Sequence, residues 1–171
     1  MSDNKRIRHA RPEELAQIME IYASARAFMA VNGNAEQWSD DYPQKELIQK
    51  DIEKKQLYIY EENEEINAVF VFYVGEESDY ETSVTGTWES PKPYGVLHRI
   101  AVAKYGKGVA SECMRWCYEQ CHCMRGDTGQ KNKSMQRLFE KNGFTQCTII
   151  HSTSGVLLGY EKYEKEEKAI C

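Results

Sequence analysis

The most constraining feature of the sequence is an apolar strand that runs into a glycine turn and directly into a helix. Residues Tyr94 to Ala103 read YGVLHRIAVA, a mostly apolar run of strand length, as expected of a strand buried on both faces. Gly106 and Gly108 follow. A helix is expected from about Val109 to Gln120 and a further strand from Cys123 to Thr128. Two strands joined by a crossover helix form a parallel pair, so the chain needs a sheet with helices packed on it.

The flanking segments extend that sheet. Residues 5–10 (KRIRHA) alternate weakly, as a first strand would. Pro12 suits the first turn of a helix in which Leu15, Ile18, Met19, Tyr22, Ala25 and Met29 recur at helical spacing. Gln44 to Lys55 reads as a second helix with Leu47, Ile48 and Ile52 inward. Leu57 to Tyr60 and Ile66 to Val74 read as a hairpin, and the polar, acidic residues 75–93 as a loop or ragged strand extension. Asn132 to Asn142 is expected as a helix with Met135, Leu138 and Phe139 inward and Gly143 at its end. Two strands, Thr145 to His151 and Val156 to Tyr163, surround the turn STSG, and the charged tail EKEEKAIC is expected to fray. The predicted architecture is α/β (α+β): one mixed sheet of about seven strands with about four helices on its two faces. With no repeat and no linker, the chain reads as a single domain over 1–171.

Charge is distributed unevenly. The net charge is −5, but residues 40–91 hold four lysines against fourteen carboxylates, a net of −10, and residues 92–144 sum to +6. One basic segment in an acidic chain points to a local anion site and away from a nucleic-acid surface. The longest apolar run, Ala68 to Val74, spans seven residues, whereas a membrane-spanning helix needs about 20. The N-terminus MSDNKRIRHARPEEL lacks the apolar stretch of a signal peptide. A soluble cytoplasmic protein is therefore expected, with no membrane partner and an open oligomeric state, a dimer included. Cys113, Cys117, Cys121 and Cys123 form C-x3-C-x3-C-x-C, which is not a usual zinc spacing, so no metal is expected and buried thiols are the simpler reading.

The turn after the apolar strand carries the chemistry. A glycine turn at a helix start aims several backbone N–H groups outward, where the helix dipole favours an anion, and Lys104 and Lys107 add positive charge. The same residues also fit a plain strand-to-helix turn. Two motifs shift that balance. Tyr105-Gly106-Lys107-Gly108-Val109-Ala110 fits the frame Q/R-x-x-G-x-G/A. Asn132, Met135, Phe139, Gly143 and Phe144 fall at the spacings of N-x-x-A-x-x-x-Y-x-x-x-G-F. With the element order, these motifs make the chain resemble the GNAT superfamily of acyl-CoA-dependent N-acetyltransferases over nearly its whole length. DTGQKNKSMQ beside LHRIAV, and QW…YP ahead of the second helix, are similar to a bacterial subgroup of unassigned substrate.

The resemblance implies a function. Acetyl-CoA would be the co-substrate, lying where the strands 94–103 and 123–128 splay apart. Backbone groups of Ile100 and Val102 would pair with the pantetheine arm. The N–H groups of Gly106, Lys107, Gly108, Val109 and Ala110 would take the pyrophosphate, and Asn132 would contact the arm. A primary amine, on a small molecule or a peptide, would attack the thioester directly. Tyr105 stands at the Q/R position, the turn is shorter than is common, and Phe139 stands where a tyrosine often protonates the leaving thiolate. The alternative is a catalytically degenerate domain that binds an acyl-CoA or a protein partner.

Among the remaining residues, His98 shares strand parity with Ile100 and Val102 and is therefore expected to face the gap. An imidazole there suits a base or proton relay, with a structural histidine as the alternative. Glu81 and Glu89 could serve as base or amine-binding carboxylates, and Trp38, Trp88 and Glu89 are the candidate acceptor-binding residues. Trp38 and Trp88 would otherwise cap the core.

Overall fold

The helical spacing of residues 15–29 gives a helix whose Ile18, Ile21, Tyr22 and Ala25 are buried, and the apolar runs 57–74 and 94–102 give the strands beneath it. In the computed structural model, which describes residues 4–153 and 155–165, eight strands and five α-helices follow one another. They are β1 Lys5–His9, α1 Leu15–Val31, α2 Lys45–Glu53, β2 Leu57–Glu62, β3 Glu65–Gly75, α3 Ser78–Thr82, β4 Val84–Gly86, β5 Tyr94–Val102, α4 Val109–Cys121, β6 Cys123–Gly129, α5 Lys133–Lys141, β7 Thr145–Ser152 and β8 Gly155–Tyr163. All strands join one sheet in the order β1-β2-β3-β5-β6-β8-β7-β4. Only β5 and β6 run parallel; the other neighbours are antiparallel. This is a mixed sheet with helices on both faces, as expected, with one strand and one helix more than the sequence predicted.

The two extra elements lie in the segment read as a loop. α3 is a single turn and β4 is three residues long, paired with Ile150, Ile149 and Thr148 of β7. Elements this short have no periodicity of their own, and β4 exists through its pairing with β7. Ser154 of the turn between β7 and β8, and the tail beyond Lys165 with Cys171, lie outside the described residues. Among the described residues no helix is long and apolar enough to cross a membrane.

The sheet has a core on each face. On one, Ile18, Tyr22, Ile48 and Ile52 of α1 and α2 pack on Ile59, Val69 and Val71. On the other, Cys113, Met114 and Cys117 of α4 and Phe139 of α5 pack on Phe70, Phe72, Leu97, Met124 and Tyr160. Each such fully buried apolar side chain contributes about 1.5–3 kcal/mol relative to exposure. Cys113 and Cys117 are thus core residues, and burial pushes the Cys113 and Cys117 thiols far above their usual range. A smaller cluster of Tyr80, Tyr94, Val96 and Ile150 continues the α1–α2 side across the far half of the sheet.

One irregularity positions the site. The register of β3 against β5 shifts between Val69, opposite Ala101, and Val71, opposite His98. Arg99 takes up the extra residue with φ of +49°, a β-bulge that puts two successive side chains on one face. His98 and Arg99 both point to the α1–α2 side, where Arg99 reaches Asp51 of α2, whereas Ile100 and Val102 pack on the α4 side. The parity argument from the sequence therefore fails here: His98 does not share a face with Ile100 and Val102, because the bulge between them resets the alternation.

Candidate active site

β5 and β6 pair over only three positions, Gly95 with Met124, Val96 with Arg125 and Leu97 with Gly126. Beyond Leu97 the strands separate. β6 stays paired to β8 as far as Gly129, and β5 bends away at the Arg99 bulge. The wedge between them leaves the β6-facing backbone of β5 without a strand partner. Unpaired strand edges are strong hydrogen-bonding surfaces that another extended group can fill.

Two clefts open on the two sides of this wedge. The first, of about 440 Å³, is mostly apolar; its lining includes Trp38, Ile100, Val102, Tyr105, Ala110 and Asn132. Asn132 caps α5, its Oδ1 accepting the Met135 N–H at 3.1 Å. Tyr105 stacks on Phe28 of α1 with centroids 3.9 Å apart, so an aromatic pair walls this cleft at the position where the motif has Q/R. In the turn between Tyr105 and Ala110, which both line this cleft, Gly106 and Gly108 have positive φ, +76° and +73°, with no atom beyond their chain neighbours within 4 Å of where a Cβ would stand. Glycine is required there by backbone conformation and not by crowding. Gly108 is the N-cap of α4 and supplies no side-chain acceptor, so the first N–H groups of the helix, including those of Val109 and Ala110, have no intrahelical partner. Lys107 borders a neighbouring surface hollow with Lys5 and Lys104.

The second cleft, of about 540 Å³, is polar and carries four carboxylates, Asp51, Glu77, Asp79 and Asp127, beside Lys54, His98 and Arg99. The Arg99 guanidinium is paired with Asp51 at 2.6 Å, so the remaining carboxylates leave the cleft negative. His98 is its centre. Its Nε2 lies 3.1 Å from Glu77 Oε2 and its Nδ1 lies 3.8 Å from Asp127 Oδ2. Each carboxylate is also held by a tyrosine: the Tyr73 hydroxyl donates to Glu77, and the Tyr80 hydroxyl donates to Asp127 at 2.5 Å. Hydrogen bonds from His98 and Tyr73 hold the Glu77 carboxyl down at about 2. Burial, with Glu77 and Asp127 as the respective acceptors, pushes Tyr73 and Tyr80 above the usual phenol range.

A narrow passage of about 120 Å³ lies between the clefts, at the point where the strands part. Trp38, Tyr42, His98, Ile100, Thr128 and Asn132 are among its walls. Thr128 is fully buried, and among the described residues its hydroxyl has no hydrogen-bond partner. The structure thus brings His98, Ile100, Asn132 and Trp38 together, with Val102 and Ala110 in the adjoining cleft.

Trp88 and Glu89 line neither cleft. The Trp88 indole donates to the Tyr80 carbonyl at 2.9 Å, and its ring lies under the buried Arg125 guanidinium, 4.8 Å away. It closes the core beneath α3, because Gly159 of β8 leaves room for its ring. Glu89 accepts from the Tyr163 hydroxyl at 3.1 Å, at a different hollow. Glu81 is also committed elsewhere, accepting from Tyr94 at 2.8 Å and from Lys92. The sequence reading missed Glu77, Asp127, Tyr42 and Arg99. Glu77 is one of fourteen acids in its stretch, and no local pattern separates it from the others.

The wedge between two parallel strands thus joins an apolar cleft, with the glycine turn next to it in sequence, to a polar cleft that holds His98. No protein-family model and no curated protein sequence matches the chain. Solved structures do. A GNAT-family acetyltransferase from Streptococcus agalactiae is 30% identical over 95% of this chain and 96% of its own, with a TM-score of 0.85. The chain belongs to the GNAT family of acetyltransferases. The fold is also that of an acetyltransferase from Salmonella typhimurium solved with its cofactor acetyl-CoA (19% identity, 99% and 100% covered, TM-score 0.65). AAC(6′)-Ib, solved with ribostamycin and coenzyme A, shares it as well (18% identity, 98% and 100% covered, TM-score 0.66).

Proposed function

We propose that this protein moves the acetyl group of acetyl-CoA to a primary amine that arrives as a cation. The observation that carries this reading is the meeting of an apolar cleft and an acidic cleft at His98, through the wedge between β5 and β6. The apolar cleft fits acetyl-CoA: the free edge of β5 at Ile100 and Val102 suits the pantetheine amides, the unpartnered Thr128 hydroxyl lies on the same path, and the N–H groups following Gly106 and Gly108 suit the pyrophosphate. Neighbours of the same fold hold acetyl-CoA or CoA.

On the other side, Glu77, Asp79 and Asp127 attract an ammonium group. An alkylamine has an ordinary pKa near 10.4 and must lose a proton before it attacks. Glu77 is ionised near neutrality and can only accept hydrogen bonds, so the Nε2 of a neutral His98 carries the proton and its Nδ1 lone pair is free. Nδ1 faces Asp127, so an ammonium held by Asp127 stands beside the base. The freed amine attacks the thioester carbonyl carbon, the C–S bond breaks and the sulfur leaves with the electron pair. A small molecule and a peptide amine both suit the acidic cleft.

Release of thiol from acetyl-CoA, measured against a panel of mono-, di- and polyamines, amino acids and a lysine peptide, tests the reading. Turnover with cationic amines is expected. Binding of acetyl-CoA without thiol release for any amine would favour a non-catalytic acyl-CoA-binding domain, a reading that rests on Phe139. Absence of both binding and release would exclude the two together.

A further inference from the structure

The acetyl-transfer reading leaves the thiolate without a proton donor. Phe139 is fully buried, stacked on Tyr160 at 4.7 Å and tilted against Phe144 at 5.2 Å, and brings no hydroxyl. We infer that Tyr42, from the loop between α1 and α2, is the residue that protonates the departing CoA sulfur.

The inference rests on position and on hydrogen-bond use. Three tyrosines line the acidic cleft: Tyr42, Tyr73 and Tyr80. Tyr73 and Tyr80 donate their hydroxyl protons to Glu77 and Asp127. Tyr42 is different. Its oxygen accepts from Arg99 Nη1 at 3.5 Å, and among the described residues its proton goes to no protein acceptor. Among the described residues it is also the one tyrosine that lines the narrow passage, together with Ile100, Asn132 and Thr128. Among the described residues the only other hydroxyl there is that of Thr128, an alcohol and a far weaker acid than a phenol.

The placement of Tyr42 is fixed from both sides. The Arg26 side chain of α1 donates to the Tyr42 carbonyl at 2.9 Å, and the Tyr42 N–H donates to the Ser39 carbonyl at 3.0 Å. The Trp38 ring stands 5.9 Å from the Tyr42 ring. Arg99 is in turn held by Asp51 and by the bulge that turns it to this side of the sheet. The bulge therefore does two things: it points His98 at the acidic cleft, and it sets a guanidinium beside the hydroxyl that is to lose a proton.

The step balances. Nitrogen forms a bond to the acetyl carbon, the carbon–sulfur bond breaks, and sulfur takes the Tyr42 hydroxyl proton. The phenolate is left beside the Arg99 guanidinium, which stabilises it electrostatically. Tyr42 regains a proton from the two that the ammonium gives up, through water in the acidic cleft. The other proton leaves through His98. Overall, ammonium and acetyl-CoA give amide, CoA thiol and one proton.

The inference rests on the acetyl-transfer reading, but its test needs no acceptor. A donor within reach of the sulfur stabilises the bound thiolate and lowers the apparent pKa of the CoA thiol. The probe is CoA itself, with desulfo-CoA as the blank, and the readout is thiolate absorbance against pH on the intact protein. Tyr42→Phe is expected to raise the midpoint of bound CoA by about one unit, a tenfold loss of thiolate stabilisation, while retaining the thermal shift on CoA binding. Tyr80→Phe is expected to leave the midpoint unchanged. CoA that binds and titrates identically in wild type and Tyr42→Phe overturns the inference alone, as does a shift produced by Tyr80→Phe instead. Absence of CoA binding to wild type overturns the acetyl-transfer reading and the inference with it. A Tyr42→Phe variant that no longer binds CoA assigns Tyr42 to binding and also counts against the inference.

Discussion

His98 Nε2 and Glu77 Oε2 lie 3.1 Å apart, and Glu77 is on α3's N-cap, in the stretch before β4. The carboxylate fixes the imidazole from one side while Asp127 of β6 stands 3.8 Å from the other nitrogen. The general base of the proposed reaction is thus oriented by a segment that has almost no secondary structure of its own.

Replacing His98 should separate chemistry from binding. His98→Asn is expected to lower kcat by on the order of 10²-fold, a typical general-base contribution. The thermal shift produced by acetyl-CoA should stay within error of wild type, because the CoA cleft lies on the other side of the wedge. Unchanged turnover by His98→Asn in the thiol-release assay would return the proton to solvent.

Glu77 makes stability pH-dependent in a defined window. Its folded-state value is lowered from 4.5 to about 2 by the His98 and Tyr73 hydrogen bonds. A depressed carboxyl contributes stability above its unfolded value, and that contribution is lost as pH falls from about 4.5 to about 2. Glu77→Gln should therefore be less stable than wild type at pH 7, with the difference closing toward pH 2. Denaturant unfolding at stepped pH checks this; a difference independent of pH would mean that the ionised form is not the one stabilised.

The glycine turn should govern co-substrate binding. At about 100 times its dissociation constant, acetyl-CoA is expected to add about 2.7 kcal/mol to the stability of the protein. Gly108→Glu forces a side chain into a backbone with φ of +73° and places negative charge at the start of α4. It should remove the ligand-induced rise in melting temperature, while Gly108→Ala, strained but uncharged, should keep a reduced one.

Acceptor capture should be electrostatic. With Asp79, Glu77 and Asp127 in one cleft, kcat/KM for a cationic amine is expected to fall as ionic strength rises, since salt screens long-range attraction. A kcat/KM indifferent to salt, or turnover of anionic acceptors alone, would place the acidic stretch outside substrate capture.

Arg125 should prove indispensable to the wall behind the site. Its guanidinium is 2% exposed, lies 3.9 Å from the Tyr94 ring and donates to the Ser90 hydroxyl and carbonyl. Arg125→Ala is expected to cost roughly 1–3 kcal/mol, the order found when a buried acceptor, here the Ser90 carbonyl, loses its donor. Chemical denaturation of the variant measures it.

Much of this protein was legible locally. The alternation and helical spacing of residues 15–74 marked α1, α2, β2 and β3. YGVLHRIAVA followed by Gly106 and Gly108 marked the central strand, the turn and α4, because hydrophobic periodicity and positive-φ glycines are properties of a short window. The parallel pair followed from the crossover helix, and the family resemblance from two motifs on that same segment.

The site itself was decided by tertiary structure. His98 was named, but its direction was inferred from a parity that the Arg99 bulge breaks, and a bulge is set by the register of a partner strand. Glu77, Asp127 and Tyr42 come from α3's cap, β6 and the loop after α1, and meet at His98 only once β5 and β6 have separated. Trp88 and Glu89, flagged as loop residues, were drawn away by Tyr80 of α3 and by Arg125 and Tyr163 on the distant strands β6 and β8. The sequence by itself determined the longer strands and helices and the glycine turn, since those follow from neighbours along the chain, whereas the three-residue β4 exists through its pairing with β7. Which side chains share the cleft depended on where two strands stop hydrogen-bonding, and that is a property of contacts between residues far apart in sequence.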